Sequence, residues 1–277
     1  MKSGVLLSAL VAAVAAAALS AADSLTLAYT PEQGLRIPYD IHVSGHYKLR
    51  VTGQPTQDAK LTVDARRIDV VKEVDGKKIV LERTIEKAVL KRDGTKVELP
   101  DKVIGEPILF DVDAQAHVES QKEDPWPDGV DRFFLEALNL VETVPFAPGA
   151  VEIGDTWDAS MPSEKKEQPG VHRVRYKSEG KLVRVYDSDG MAVALIAQEV
   201  DSEFVADPPK GQSEGPPVSP RVSLKGSILQ SNRIEDGALL GIRGRLVEKI
   251  EYVLPNGEVF ATEEMPDLEG RLEVAAE

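Results

Sequence analysis

The 277-residue chain contains no cysteine, so it can build no disulfide framework, thiolate metal site or thiol nucleophile. Aromatic residues make up only 5% of it, with two tryptophans, which leaves few rings for a stacked sugar-binding cleft. Gly-rich phosphate loops, a Gly-x-Ser-x-Gly elbow and a His-Glu-x-x-His helix are all missing. Nucleotide, esterase and zinc-peptidase chemistries therefore lack the motifs that would carry them. Positive charge is in deficit: 33 Lys and Arg against 47 Asp and Glu leave a formal net charge of −14. An acidic surface of this kind repels phosphate backbones and argues against nucleic acid as a partner.

What is present begins with an address. Lys2 supplies a positive n-region, Val5 to Leu19 is almost unbroken apolar sequence, and Ser20-Ala21-Ala22 places small residues at the −3 and −1 positions before Asp23. The pattern predicts a cleaved signal peptide over residues 1–22 and a periplasmic or secreted protein. Beyond it no stretch is apolar enough to serve as a transmembrane segment. No cysteine follows the run, which excludes a lipidated N-terminus.

Residues 23–127 read as a first β-rich half. Leu25 to Thr30 is a short strand candidate. From Asp40 to Val51 the alternation is clean, with Ile41, Val43, Gly45, Tyr47, Leu49 and Val51 on one face. Leu61-Thr62-Val63-Asp64-Ala65 continues in this way until Arg66-Arg67 shifts the phase, as a β-bulge would. Asp75-Gly76 and Asp93-Gly94 are hairpin signals around strand material from Lys78 to Lys91. Phe110 to Glu119 alternates throughout.

Residues 128–144 form the one helical pattern. Asp128 offers an N-cap oxygen and Asp131 a first-turn charge, while Phe134, Leu138 and Val141 recur on one face and Phe133, Ala137 and Leu140 widen it. A helix of about four turns is expected, and its apolar surface demands cover. Residues 145–277 read as a second β-rich half. Strand candidates lie at 172–177, 181–186, 191–200, 222–229, 239–251 and 258–263, and a short edge strand is expected after Pro266. Asp207 to Pro220 is a Pro-rich loop. The order Arg67-Ile68, Asp75-Gly76, Glu86-Lys87, Asp93-Gly94 returns as Arg233-Ile234, Asp236-Gly237, Glu248-Lys249, Asn256-Gly257, which suggests two related halves. The expected fold class is mainly β: antiparallel sheets forming an open or half barrel around one central amphipathic helix.

Candidate sites are few. His42 and His46 share a strand face, but i and i+4 in a strand stand about 13 Å apart, too far to share an ion. The row Asp111, Asp113, His117 and Glu119 is the densest titratable cluster and could hold a cation or an acid–base pair, although a wet strand face explains it as well. Asp187, Asp189 and Gly190 resemble the opening of a calcium loop without its later ligands. No metal, cofactor or catalytic residue is assigned. The apolar residues Phe133, Phe134, Ala137, Leu138, Val141 and Trp157 are the candidate ligand-binding set.

The helix followed by Pro145-Phe146-Ala147-Pro148-Gly149 and Val151-x-Ile153-Gly154-Asp155-Thr156-Trp157 resembles a group of uncharacterised bacterial secreted proteins, domains of unknown function. In these a helix leads through a Pro-containing turn into Val-x-Val-Gly-Asp-x-Trp and a β-rich second half. This chain departs from the pattern by an extra Gly-Ala before Val151 and by the Pro-rich insertion, and no activity follows from the resemblance. At the level of architecture it is similar to periplasmic lipoprotein carriers, in which an open β half-barrel wraps an apolar helix. The functional expectation is a non-catalytic binding or carrier protein for an apolar small molecule or a protein partner in the envelope. Two alternatives stay open: a structural or interaction module, and a carboxylate-dependent hydrolase using Asp111 and Asp113.

Overall fold

The computed structural model describes residues 24–76, 78–121, 130–160, 170–208 and 218–275. The expected signal peptide, the Asp128 cap and most of the Pro-rich loop lie outside them. Within them the period-two alternation becomes strands β1 (Arg36–Val51), β2 (Gln57–Asp75), β3 (Lys78–Arg92), β4 (Thr95–Val97), β5 (Pro107–Val112) and β6 (Val118–Gln121). Helix α1 (Arg132–Asn139) follows. After it come β7 (Thr156–Asp158), β8 (Val171–Ser188), β9 (Met191–Ala206), β10 (Ser219–Arg233), β11 (Leu239–Val253) and β12 (Val259–Val274).

All the strands belong to one antiparallel sheet in the order β6-β5-β3-β2-β1-β12-β11-β10-β9-β8-β7, with β4 added beside β3. The path does not close, so the mainly β expectation holds in its open form. Strands from both sides of the helix meet where β1 pairs with β12, from Tyr39 opposite Val274 to Val51 opposite Ala261. The Asp-Gly signals work as read: Gly76, Asp93 and Gly94 all have positive φ, as tight hairpin turns require.

Several boundaries differ from the sequence reading. Leu25 to Thr30 makes only one bridge, Leu25 to Val151. The run from Phe110 to Glu119 is two strands, because the Asp113 carboxylate accepts hydrogen bonds from the Gln115 and His117 amides and Ala116 turns at φ 61°. The candidates at 172–177 and 181–186 are one strand, β8, interrupted by bulges at Val174 and Val183. β12 runs through Pro266 and lies at the middle of the sheet, not at an edge. Pro266 is tolerated there because both neighbouring ladders break around it, between Ser44 and Lys48 on one side and Leu246 and Glu248 on the other.

The helix is also shorter than expected and starts later. Asp131 is its N-cap, accepting the Phe133 amide at 2.9 Å, and regular turns stop at Asn139. Val141 and Glu142 then donate to carbonyls only three residues back. This tightened end keeps Leu140 and Val141 facing inward without extending the helix, and Pro145 prevents Val144 from resuming it.

Phe133, Phe134, Ala137, Leu138, Leu140 and Val141 pack with Tyr39, Ile41 and Val43 of β1, Leu61 and Val63 of β2, and Leu268 and Leu272 of β12. Downstream, Val144, Phe146, Ala147 and Trp157 cover Leu182 of β8 and Ala194 and Ile196 of β9. Two glycines let the helix end approach. Gly244 and Gly270 face each other across β11 and β12; a Cβ would lie 2.7 Å from Leu140 Cδ1 at the first and 2.9 Å from Leu140 Cδ2 at the second. A similar arrangement seats Trp157 against Gly180, where a Cβ would come within 2.5 Å of the ring.

Gly244→Ala is therefore expected to lower unfolding free energy by about 1–3 kcal/mol through overpacking. Combined with Leu140→Ala it should cost less than the sum of the two single changes. Urea unfolding of the three variants checks this, and strict additivity would show that Leu140 does not sit in the glycine pocket.

Candidate functional site

Strand β2 keeps its inward phase through Leu61, Val63, Ala65, Arg67, Asp69 and Val71, so Arg66-Arg67 does not mark a change of face. The bulge lies opposite, on β3 at Glu86. Two charges are thereby carried into the interior. Register places Tyr39 of β1 opposite Arg67, and Arg83 of β3 opposite Asp69.

The result is a buried ion network. Arg83 donates from Nε and Nη2 to Asp69 Oδ1 and Oδ2 at 3.0 and 3.2 Å, and from Nη1 to Glu142 Oε1 at 2.5 Å. Arg67 Nη2 lies 3.2 Å from Asp69 Oδ2 and its Nη1 3.8 Å from Glu142 Oε1. Its guanidinium sits 4.9 Å above the Tyr39 ring, as that of Arg83 sits 5.0 Å above Phe110. Two positive and two negative groups balance, which is the condition under which buried charge is tolerated. Burial alone would weaken the Arg83 proton, but Asp69 and then Glu142 hold it above the ordinary value. Burial, reinforced by the charge of Asp69, keeps the phenols of Tyr29 and Tyr39 protonated well above their usual range.

A cavity of about 50 Å³ adjoins this network. Tyr29, Tyr39, Val71, Leu81, Phe110 and Leu239 form much of its wall, with Asp69, Arg83 and Glu142 as its charged members. The volume suits a few waters or a small polar group. Tyr39 donates to the Leu239 carbonyl at 3.2 Å, Arg83 is the arginine on the cavity wall, and both carboxylates are committed to arginine.

The residues singled out from the sequence lie elsewhere. Phe133, Phe134, Ala137, Leu138 and Val141 are buried in the central core, Trp157 in the second cluster, and none of the six lines the cavity. Trp157 donates from its indole to the Pro145 carbonyl at 2.9 Å. The Gly154-Asp155 turn that delivers it is closed by Asp155 accepting the Glu152 amide. Asp111 lies 3.2 Å from Lys78, and Asp113 binds His117 Nδ1 at 2.9 Å. The Glu119 side chain is outside the described residues. His42 and His46 pair with Asp64 and Asp267, each at 2.7 Å. Among the described residues no three acidic or histidine side chains gather as a metal site, and no helix is long and apolar enough to cross a membrane. Sequence reading missed the network although its signal was present: Arg67 and Asp69 fall in phase with the apolar residues of β2, as Arg83 does with Ile79, Leu81 and Ile85.

A second charged cluster fixes the start of α1. Arg132 donates to Glu248 at 2.6 Å and to Glu263 at 2.7 Å, and Tyr252 donates to Glu263 at 3.0 Å. Burial, and then the charge of Glu136, push the Glu248 carboxyl up to about 7 despite Arg132. A carboxyl whose folded pKa is raised binds more protons folded than unfolded, so its contribution to stability declines as pH rises from about 4.5 to about 7. Urea midpoints measured across that range should fall more steeply for the native chain than for Glu248→Gln. Parallel curves would refute the raised pKa.

No known family's sequence profile matches the chain, and no curated protein does. The resemblance of the helix–turn–Trp segment therefore rests on those residues alone. Among solved structures, DynF from the dynemicin biosynthesis pathway of Micromonospora chersina aligns over 93% of this chain and 88% of its own, with 8% identity and a TM-score of 0.23. A LolA superfamily protein from Nitrosomonas europaea aligns over 90% and 89%, with 9% identity and a TM-score of 0.14. A putative outer membrane lipoprotein-sorting protein domain from Vibrio parahaemolyticus aligns over 85% and 83%, with 12% identity and a TM-score of 0.15. At these scores the likeness establishes neither a shared fold nor a shared function.

Proposed function

We propose that this chain is a non-catalytic binding or carrier protein of the periplasm or extracellular space, which receives an apolar ligand or partner segment on the inner face of its sheet. The observation that carries the reading is the manner in which that face is covered. One short helix and its irregular continuation lie across an unclosed sheet, and a cavity stands beside them. The covering segment is tied at a few polar points: Asp131 to Arg92, Arg132 to Glu248 and Glu263, Glu142 to Arg83, the Val144 backbone to Gln230, the Phe146 amide to the Gln115 carbonyl, and Val151 to Leu25. Between these ties its contacts are apolar and non-directional, so a ligand of the same character can replace them. In this reading Phe133, Phe134, Ala137, Leu138, Val141 and Trp157 exchange sheet contacts for ligand contacts when the segment shifts. The setting rests on the N-terminal Lys2 to Ala22 pattern, and the acidic surface disfavours nucleic acid.

A structural or interaction module is the second reading, and the well-filled interior suits it. Its natural docking edge is β8, of which only Glu179, Gly180 and Lys181 pair with β7 among the described residues. That edge carries Arg173, Arg175, Lys177, Lys181 and Arg184 and is bulged at Val174 and Val183. Charges and bulges are the devices by which sheets prevent strand addition, and they count against this reading.

Native mass spectrometry with solvent extraction, applied to residues 23–277 purified from a bacterial periplasm, tests the proposal. An additional discrete mass that extracts as an apolar molecule is the expected result. An apo mass, together with no uptake of an added apolar probe such as N-phenyl-1-naphthylamine, would overturn it.

A further inference from the structure

The interior beside α1 leaves cationic hydrogen-bonding capacity unused. Arg67 is only 2% exposed, yet its Nε makes no hydrogen bond, and its Nη2 lies 3.2 Å from Asp69 Oδ2 as an ion pair without hydrogen-bond geometry. Each guanidinium carries five donors in a planar fork, and within the network only Asp69 and Glu142 accept. The two acceptors are unlike. Asp69 is held within the sheet and buried. Glu142 belongs to the turn after α1, its side chain is 34% exposed, and it reaches inward from the rim. One of its oxygens, Oε1, serves Arg83 at 2.5 Å and stands 3.8 Å from Arg67. Glu142 is thus the acceptor that can leave without unfolding a strand. The wall beyond it, with Val71, Leu81, Phe110 and Leu239, is apolar.

We propose that this cavity receives the acidic head group of an amphiphile, a carboxylate or phosphate on an acyl chain. The head group takes Arg83 in place of Glu142, at a position 3.8 Å from Arg67 Nη1, and the acyl chain follows the apolar wall of Val71, Leu81, Phe110 and Leu239. This rests on the carrier reading and names its ligand class. Charge stays balanced: as Glu142 swings into water, the incoming anion restores two negative groups to two positive ones, which the interior requires. A head group with two or three oxygens can also turn one of them toward Arg67 Nη1, which stands 3.8 Å from the place that Glu142 Oε1 now holds, and planar guanidinium groups favour such shared contacts. The formal charge of −14 repels free small anions from the surface, so the acyl chain is needed to bring the acid in.

Isothermal titration of residues 23–277 and of its Glu142→Gln variant with decanoate, decyl phosphate and decan-1-ol tests the assignment. One or both acids should bind the native chain at least about tenfold more tightly than the alcohol, the worth of one charge-assisted hydrogen bond. The tighter acid identifies the head-group chemistry. Glu142→Gln removes the internal competitor and should widen the preference by about a further tenfold. Equal binding of acids and alcohol would overturn the acidic head group and leave the carrier reading standing. An acid preference that Glu142→Gln does not change would place the head group away from the arginines and overturn the site. No binding of any of the three to either protein would overturn both. If Glu142→Gln loses its circular dichroism signature, the acid–alcohol comparison on the native chain decides alone.

Discussion

An open sheet with an apolar inner face has to be covered, and here one passage of chain does most of the covering. From Asp131 to Trp157 the chain crosses the sheet from the region of β12 and β11 to that of β8 and β9. Local features of the passage follow from this duty. The helix is capped at its start so that Phe133 and Phe134 point down at once. It ends in a tightened turn so that Leu140 and Val141 stay buried. The Pro-containing stretch then lies flat, with the Val144 amide and carbonyl both bonded to the buried Gln230 amide. Glycines are placed where the passage comes closest: Gly244 and Gly270 under Leu140, and Gly180 under Trp157.

Much of the sheet was legible from the sequence because period-two alternation and Asp-Gly turns report strictly local physics. β1 and β3 lie almost where alternation put them. What escaped was decided across strands. β8 reads as two pieces because Ser178-Glu179-Gly180 interrupts the apolar pattern, although the ladder runs through it and Gly180 is there to seat Trp157. β12 reads as ending before Pro266 because a missing N–H rules out a central strand unless both neighbouring ladders are interrupted there, and a single strand's sequence does not contain its neighbours' registers. The helix was over-extended because Leu140 and Val141 keep helical spacing through a turn with different hydrogen bonds.

The interior charges were missed for another reason. Charged residues in a strand are ordinarily assigned to water, so Arg67 looked like a slip of phase. The phase was in fact intact, and the charges were inside because Asp69, Arg83 and Glu142 answer one another across three segments remote in sequence. Pairing of this kind is visible only once β2 and β3 are in register and the turn after α1 has been laid above them. The apolar candidates were legible as a buried set. Their division between two clusters, with Trp157 apart from the helix residues, reflects the path of the Pro145–Val151 stretch, which no periodicity encodes.

The pairing of β1 with β12 has a consequence for how the molecule comes into being. Tyr39 and Val274 face each other across the central ladder, and Leu268 and Leu272 complete the seat of the helix. A chain growing from its N-terminus can form the β1-β2-β3 meander early, through contacts local in sequence, but its core lacks one wall until β12 emerges. Contacts of such long separation make folding slow, and they make it a late, all-or-none event. Until then the apolar face of β1 and the helix destined to lie on it remain uncovered, and the unfinished chain depends on its surroundings to keep them from other partners.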